Sequence, residues 1–276
     1  MMAVLLAAWL GGCAASEDRP ATRAEALPQH VVESERWDGT RWQPRERVTT
    51  TYIAPEQVLS ATTEKWRDGE WVVQQRTLSL YDTLASGYQL REERKEYWEN
   101  GVWQPAMRTV SVYEDTLLVR SDASSRLGDT WERSQRSERR YTADGLLETI
   151  LLQRPLYNTD GDPEHMASAS ADTAFAWLNE LRTTYRYVDG RLETTDIDRW
   201  DDAEAVWLSE SRAQYRYDAD GREVEVVVQE PGQAIWRDTS RKTKTYDDQA
   251  RLSSELTEVK DGLDWTPTSR RTVRYQ

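Results

Sequence analysis

Covalent catalysis needs a nucleophile, a proton carrier and a group to orient them, and this chain holds few of those parts. It has one cysteine, Cys13, and two histidines, His30 and His165, far apart in sequence. No Gly-rich phosphate loop, His pair or Ser-His-Asp set is present for the fold to assemble. The densest set of hard oxygen donors is Asp160, Asp162 and Glu164, which lie with His165 in the stretch Arg154 to Met166. A calcium ion takes such carboxylates, but their spacing matches no complete calcium loop, so the stretch reads as a surface loop. The expectation is a protein without enzymatic activity, cofactor or resident metal.

What does recur is a triplet of a different kind. Trp is followed five residues later by Arg and ten residues later by Tyr in eight copies: Trp42, Arg47, Tyr52; Trp71, Arg76, Tyr81; Trp103, Arg108, Tyr113; Trp131, Arg136, Tyr141; Trp177, Arg182, Tyr187; Trp207, Arg212, Tyr217; Trp236, Arg241, Tyr246; and Trp265, Arg270, Tyr275. Rows of aromatic rings can stack on sugars, and a row of Arg can track a polyanion. The same residue in all copies, terminal ones included, points instead to a seam that joins unit to unit. With 49 acidic against 36 basic side chains the net charge is -13, which disfavours nucleic acid and anionic membrane surfaces. Acidic residues of the intervening segments, such as Glu148, Glu193 and Glu225, make cross-strand ion pairing or cation–π contact the expected work of the Arg column.

The elements that position these columns follow from the turn signals. Asp38-Gly39, Asp68-Gly69, Asn100-Gly101 and Asp261-Gly262 precede a column Trp, and Asp144-Gly145, Asp189-Gly190 and Asp220-Gly221 follow a column Tyr. Such dipeptides supply the positive φ angles of tight hairpin turns. The step is 29 or 30 residues from Tyr52 to Tyr81 and from Tyr187 through Tyr217 and Tyr246 to Tyr275, and two turns per unit mean two strands per unit, hence an all-β antiparallel meander of about eight hairpins. Sixteen strands at about 4.8 Å make an open sheet roughly 75 Å wide, expected to stay open or to coil like a solenoid. Strict alternation along a Trp-to-Tyr strand places Trp207, Ser209, Ser211, Ala213, Tyr215 and Tyr217 on one face and Arg212 on the other; a bulge inside the strand would reverse this. Second indoles at Trp37, Trp66, Trp98 and Trp200 stand across the turn from the column Trp. Between Tyr141 and Tyr187 the step is 46 residues, which marks an insertion at about 154–176.

The run Met1 to Cys13 has an apolar core followed by Leu10-Gly11-Gly12-Cys13, and it resembles a bacterial lipoprotein signal. That resemblance implies a signal peptide over 1–12, lipidation of Cys13, a flexible tether over 13–35 and a repeat array over 36–276. Ala14, not an acidic residue, implies sorting to an outer membrane. Within the array, Tyr185-Arg186-Tyr187-Val188-Asp189-Gly190-Arg191-Leu192 and Tyr215-Arg216-Tyr217-Asp218-Ala219-Asp220-Gly221-Arg222 resemble the YD-type repeats of the RHS family. They are closer still to the Trp- and Tyr-rich repeats of Bacteroidota-like surface proteins. The resemblance covers most of Trp37 to Tyr275 and implies a β-hairpin scaffold with no catalytic residues. The functional expectation is a cell-envelope lipoprotein serving as a β-repeat scaffold or interaction module, with its membrane contact made through the lipid and its partner a polysaccharide or an envelope protein. A carbohydrate-binding surface lipoprotein and an assembly factor that captures a partner by strand addition at an open edge are the alternatives.

Overall fold

In the computed structural model the described residues are 27–54, 57–84, 87–156, 176–233 and 235–275. They form sixteen strands: β1 (Gln29–Trp37), β2 (Trp42–Ala54), β3 (Gln57–Arg67), β4 (Glu70–Leu84), β5 (Gly87–Glu99), β6 (Val102–Glu114), β7 (Leu117–Leu127), β8 (Thr130–Tyr141), β9 (Leu147–Pro155), β10 (Trp177–Val188), β11 (Arg191–Asp201), β12 (Val206–Tyr217), β13 (Glu223–Pro231), β14 (Trp236–Tyr246), β15 (Leu252–Asp261) and β16 (Asp264–Tyr275). Each strand pairs antiparallel with its sequence neighbours. The tight turns are those the dipeptides demand: Asp68 and Gly69 have φ of 51° and 91°, and Asn100 and Gly101 have 51° and 80°.

The sheet is neither open nor coiled like a solenoid. It closes into a barrel, with β1 paired to β16 from His30↔Tyr275 through Arg36↔Ser269. Closure gives every strand two neighbours and removes the unpaired N–H and C=O groups that an edge would present. The curvature it needs is built in, because every pairing between consecutive strands contains a register shift, while the closing β1–β16 pairing runs without one, and bulges increase local bend and twist. The first strand also starts earlier than the sequence implied: residues 29–35, assigned to the tether, make most of β1.

A bulge overturns the face assignment as well. In each Trp-to-Tyr strand the pairing skips the residue three after the Trp, as at Arg45, Glu210 and Thr239. One skipped residue moves everything beyond it to the opposite face. Trp207, Ser209, Arg212, Gln214 and Arg216 therefore share one face, while Ser211, Ala213, Tyr215 and Tyr217 share the other. The wall has a Trp–Arg face and a Tyr face.

Because strands alternate in direction, the connections after odd-numbered strands lie at one end of the barrel and those after even-numbered strands at the other. All the Trp residues of the strands sit near the first end, where the 154–176 insertion also departs. Gln29 and Tyr275, the start of β1 and the end of β16, sit at the second. Sixteen strands tilted by about 35–45° give a barrel roughly 30 Å across, too wide for side chains to fill. Among the described residues the buried apolar side chains are Val32, Val227 and Pro155, and none is wholly enclosed. Side chains on both faces of the wall are mostly half-buried or exposed.

Candidate functional site

The column residues meet in a belt on the Trp–Arg face. With Trp and Arg on one face, each guanidinium extends across the neighbouring strand to the indole of the next unit: Arg47 over Trp71, Arg76 over Trp103, Arg108 over Trp131, Arg136 over Trp177, Arg182 over Trp207, Arg212 over Trp236 and Arg241 over Trp265, at 4.4 to 5.3 Å from the ring centroids. Arg270 completes the ring by stacking over Trp42 at 4.9 Å.

Seven of the eight guanidiniums also hold a carboxylate at 2.5 to 2.8 Å: Arg47 with Glu64, Arg76 with Glu96, Arg136 with Asp122, Arg182 with Asp198, Arg212 with Asp196, Arg241 with Glu258 and Arg270 with Glu35. Arg47 binds Glu64 through two bonds, Nε to Oε2 at 2.7 Å and Nη2 to Oε1 at 2.9 Å. Arg108 has no carboxylate partner among the described residues. The acids named from sequence are not the ones used. Glu225 pairs with Arg216, and Glu148 and Glu193 fall at skipped positions near the Tyr end. The partners were findable by counting across the hairpin turn, which puts Glu64 and Glu258 each 17 residues beyond their Arg.

The Tyr column forms a second ring on the other face. Tyr81, Tyr141, Tyr217, Tyr246 and Tyr275 donate their hydroxyls to the backbone carbonyls of Val58, Leu118, Leu192, Glu223 and Leu252 at 2.7 to 3.0 Å. Burial pushes the phenols of Tyr81, Tyr113 and Tyr217 above their usual range, which keeps them protonated. Tyr52 differs because its neighbour is β1, and its hydroxyl lies 2.5 Å from Nε2 of His30. His30, placed by sequence in the tether, is therefore part of the wall at the β1–β16 closure, 6.1 Å from the Tyr275 ring. Burial, then the nearby Arg271, lowers its pKa below 6.5.

At the Trp end the paired indoles cross each turn as expected: Trp37 with Trp42, Trp66 with Trp71, Trp98 with Trp103 and Trp200 with Trp207, with ring centroids 5.0 to 5.4 Å apart. Cys13 and the trio Asp160, Asp162 and Glu164 lie outside the described residues. Among the described residues no group of His, Cys, Asp and Glu could hold a metal ion, and no helix is long and apolar enough to cross a membrane. Among the described residues no open edge is left for strand addition, since the strand carrying Arg270 to Tyr275 is paired on both sides.

No protein-family model matches the chain, and no curated protein does. Among solved structures, a porin-like protein from Bacteroides uniformis aligns over 91% of this chain and 96% of its own, with a TM-score of 0.52 and 10% identity. This chain therefore shares the barrel fold of that protein. A porin-like protein from Bacteroides vulgatus aligns over 88% and 97% of the two chains at a TM-score of 0.38 and 12% identity. The TcdB2–TccC3–Cdc42 complex aligns over 88% of this chain and 14% of its own at 0.27 and 12% identity.

Proposed function

We propose that the chain is a non-enzymatic β-barrel of a bacterial cell envelope, destined for the outer membrane, attached there by a lipid on Cys13 and acting as a scaffold or interaction module. The observation that carries this reading is the chemistry of the wall. A barrel that spans a bilayer needs an outward apolar band about 25 Å tall. On the Trp–Arg face the middle of the strands carries the ion-paired Arg column. On the Tyr face it carries Lys242 paired with Glu255 at 3.4 Å, and nearer the Tyr end stand Lys244 paired with Glu223 at 2.6 Å and Arg139 against the Ser121 and Ser137 hydroxyls. Lipid contact at mid-height costs about 2–4 kcal/mol for each Arg or Lys. Whichever face points outward, the wall belongs in water, and attachment has to come from outside the barrel.

The scaffold reading is favoured over a sugar-binding platform because each column indole already has a guanidinium on its ring. The test compares the full chain with a variant in which residues 1–13 are replaced by a cleavable, non-lipidated export signal. The full chain is expected in the membrane fraction and to take up labelled fatty acid. The variant is expected folded in the soluble periplasm without detergent. Retention of the variant in the membrane would overturn the proposal.

A further inference from the structure

The belt lacks a carboxylate at one column Arg. Two routes supply a carboxylate to a column Arg. For Arg47, Arg76, Arg182, Arg241 and Arg270 it is the residue directly opposite on the following strand: Glu64, Glu96, Asp198, Glu258 and Glu35. Arg136 and Arg212 face Gln153 and Gln229 there, and take Asp122 and Asp196 from the preceding strand instead. Both routes fail at Arg108. Opposite it on β7 stands Ser124, and opposite it on β5 stands Arg94, which is bonded to Glu92 at 2.6 Å. Arg133 faces Ser124 from β8.

The Nε of Arg108 is shut off from solvent and has no acceptor. Its guanidinium stacks on Trp131 at 5.3 Å, the longest such distance in the belt. A buried charged donor without an acceptor is costly, and the acceptor best matched to a guanidinium is a carboxylate held by two parallel bonds. We infer that the Arg108–Ser124 position binds a carboxylate carried by a ligand, approaching the outer nitrogens of the half-buried Arg108 guanidinium rather than its enclosed Nε. The Ser124 hydroxyl is available as a further donor, and Trp131 forms the wall beside it. The charge of the rest of the molecule is screened beyond about 8 Å at physiological ionic strength, so it does not prevent binding but leaves it weak and salt-sensitive. A uronic acid and a peptide carboxylate share the required group.

The test uses the full chain and follows melting temperature and Trp emission during titration with sodium acetate, sodium glucuronate and a short peptide with a free C-terminal carboxylate. Sodium chloride, glucose and the amidated peptide serve as matched controls. The carboxylates are expected to raise the melting temperature above the chloride control, and whichever of glucuronate or peptide acts at the lower concentration identifies the source. Ser124→Glu supplies the missing carboxylate from within the chain. It is expected to raise the melting temperature without ligand and to weaken the carboxylate response at least tenfold, and Arg108→Gln is expected to abolish the response. The inference fails if carboxylates act no differently from chloride on the unaltered protein, or if Ser124→Glu leaves the response intact.

Discussion

Arg270 on β16 lies over the ring of Trp42 on β2, with Glu35 of β1 holding its guanidinium from the strand between them. These are the contacts that Arg241 makes with Trp265 and Glu258 inside the chain, so the junction between the two ends of the sequence is chemically the same as a junction between adjacent hairpins.

Arg270→Ala is accordingly expected to lower stability by about 1–2 kcal/mol, the sum of a partly exposed ion pair and a cation–π contact. Arg241→Ala should cost a similar amount. The two should differ in hydrogen exchange, because only the first frees β1 and β16 from each other, and faster exchange confined to those strands is the expected signature.

Glu210 tests the bulge. Replacing it with Ala should change stability by less than about 0.5 kcal/mol, as for an exposed surface position. Deleting it restores strict alternation and turns Arg212 away from Asp196 and Trp236. The deletion should cost several times the substitution in urea denaturation. Equal effects would mean that the bulge does not set the faces.

The stack of Arg182 on Trp207 should appear as a coupling of about 0.5–1 kcal/mol in a double-mutant cycle with Arg182→Ala and Trp207→Ala. Trp207→Ala alone should also lower the melting temperature, since it removes the edge contact with Trp200. Additive effects would assign the Trp row a role other than joining the units.

His30 sets a pH dependence at the closure. Its folded-state pKa lies below the ordinary 6.5. Above 6.5 both folded and unfolded chains carry it neutral, so its contribution is fully present. As pH falls below 6.5 the unfolded chain takes up the proton first, and stability declines until the pH passes below the folded-state value. Melting temperatures measured between pH 8 and pH 5 should show this decline, and His30→Gln should flatten it.

Much of the fold was legible because it rests on local chemistry. Asp68-Gly69 and Asn100-Gly101 announce turns that only positive φ can make, and the regular step between column Tyr residues announces repeating hairpins. Closure was not legible, since β1 and β16 are far apart in sequence and nothing in either names the other. The faces were misassigned because the skipped positions carry no common residue: Arg45, Gln74, Ala106 and Glu210 share no chemistry. A signal was nevertheless present in Pro44, Pro105 and Pro267, each just before a skipped residue, because Pro within a sheet belongs at an edge or a bulge. The carboxylates of the belt escaped notice for the related reason that their pairing depends on the shifted register. Cys13 and the trio Asp160, Asp162 and Glu164 remain expectations from sequence.

Since the Arg-to-Trp contacts run from each hairpin only to the next and return from the last to the first, the number of hairpins acts as a gauge of bore. Inserting or removing one whole hairpin would leave every neighbour contact chemically unchanged while widening or narrowing the tube by about one eighth, because diameter grows roughly in proportion to strand number. Duplication or loss of a single unit in the gene therefore resets the bore with no new joint to invent.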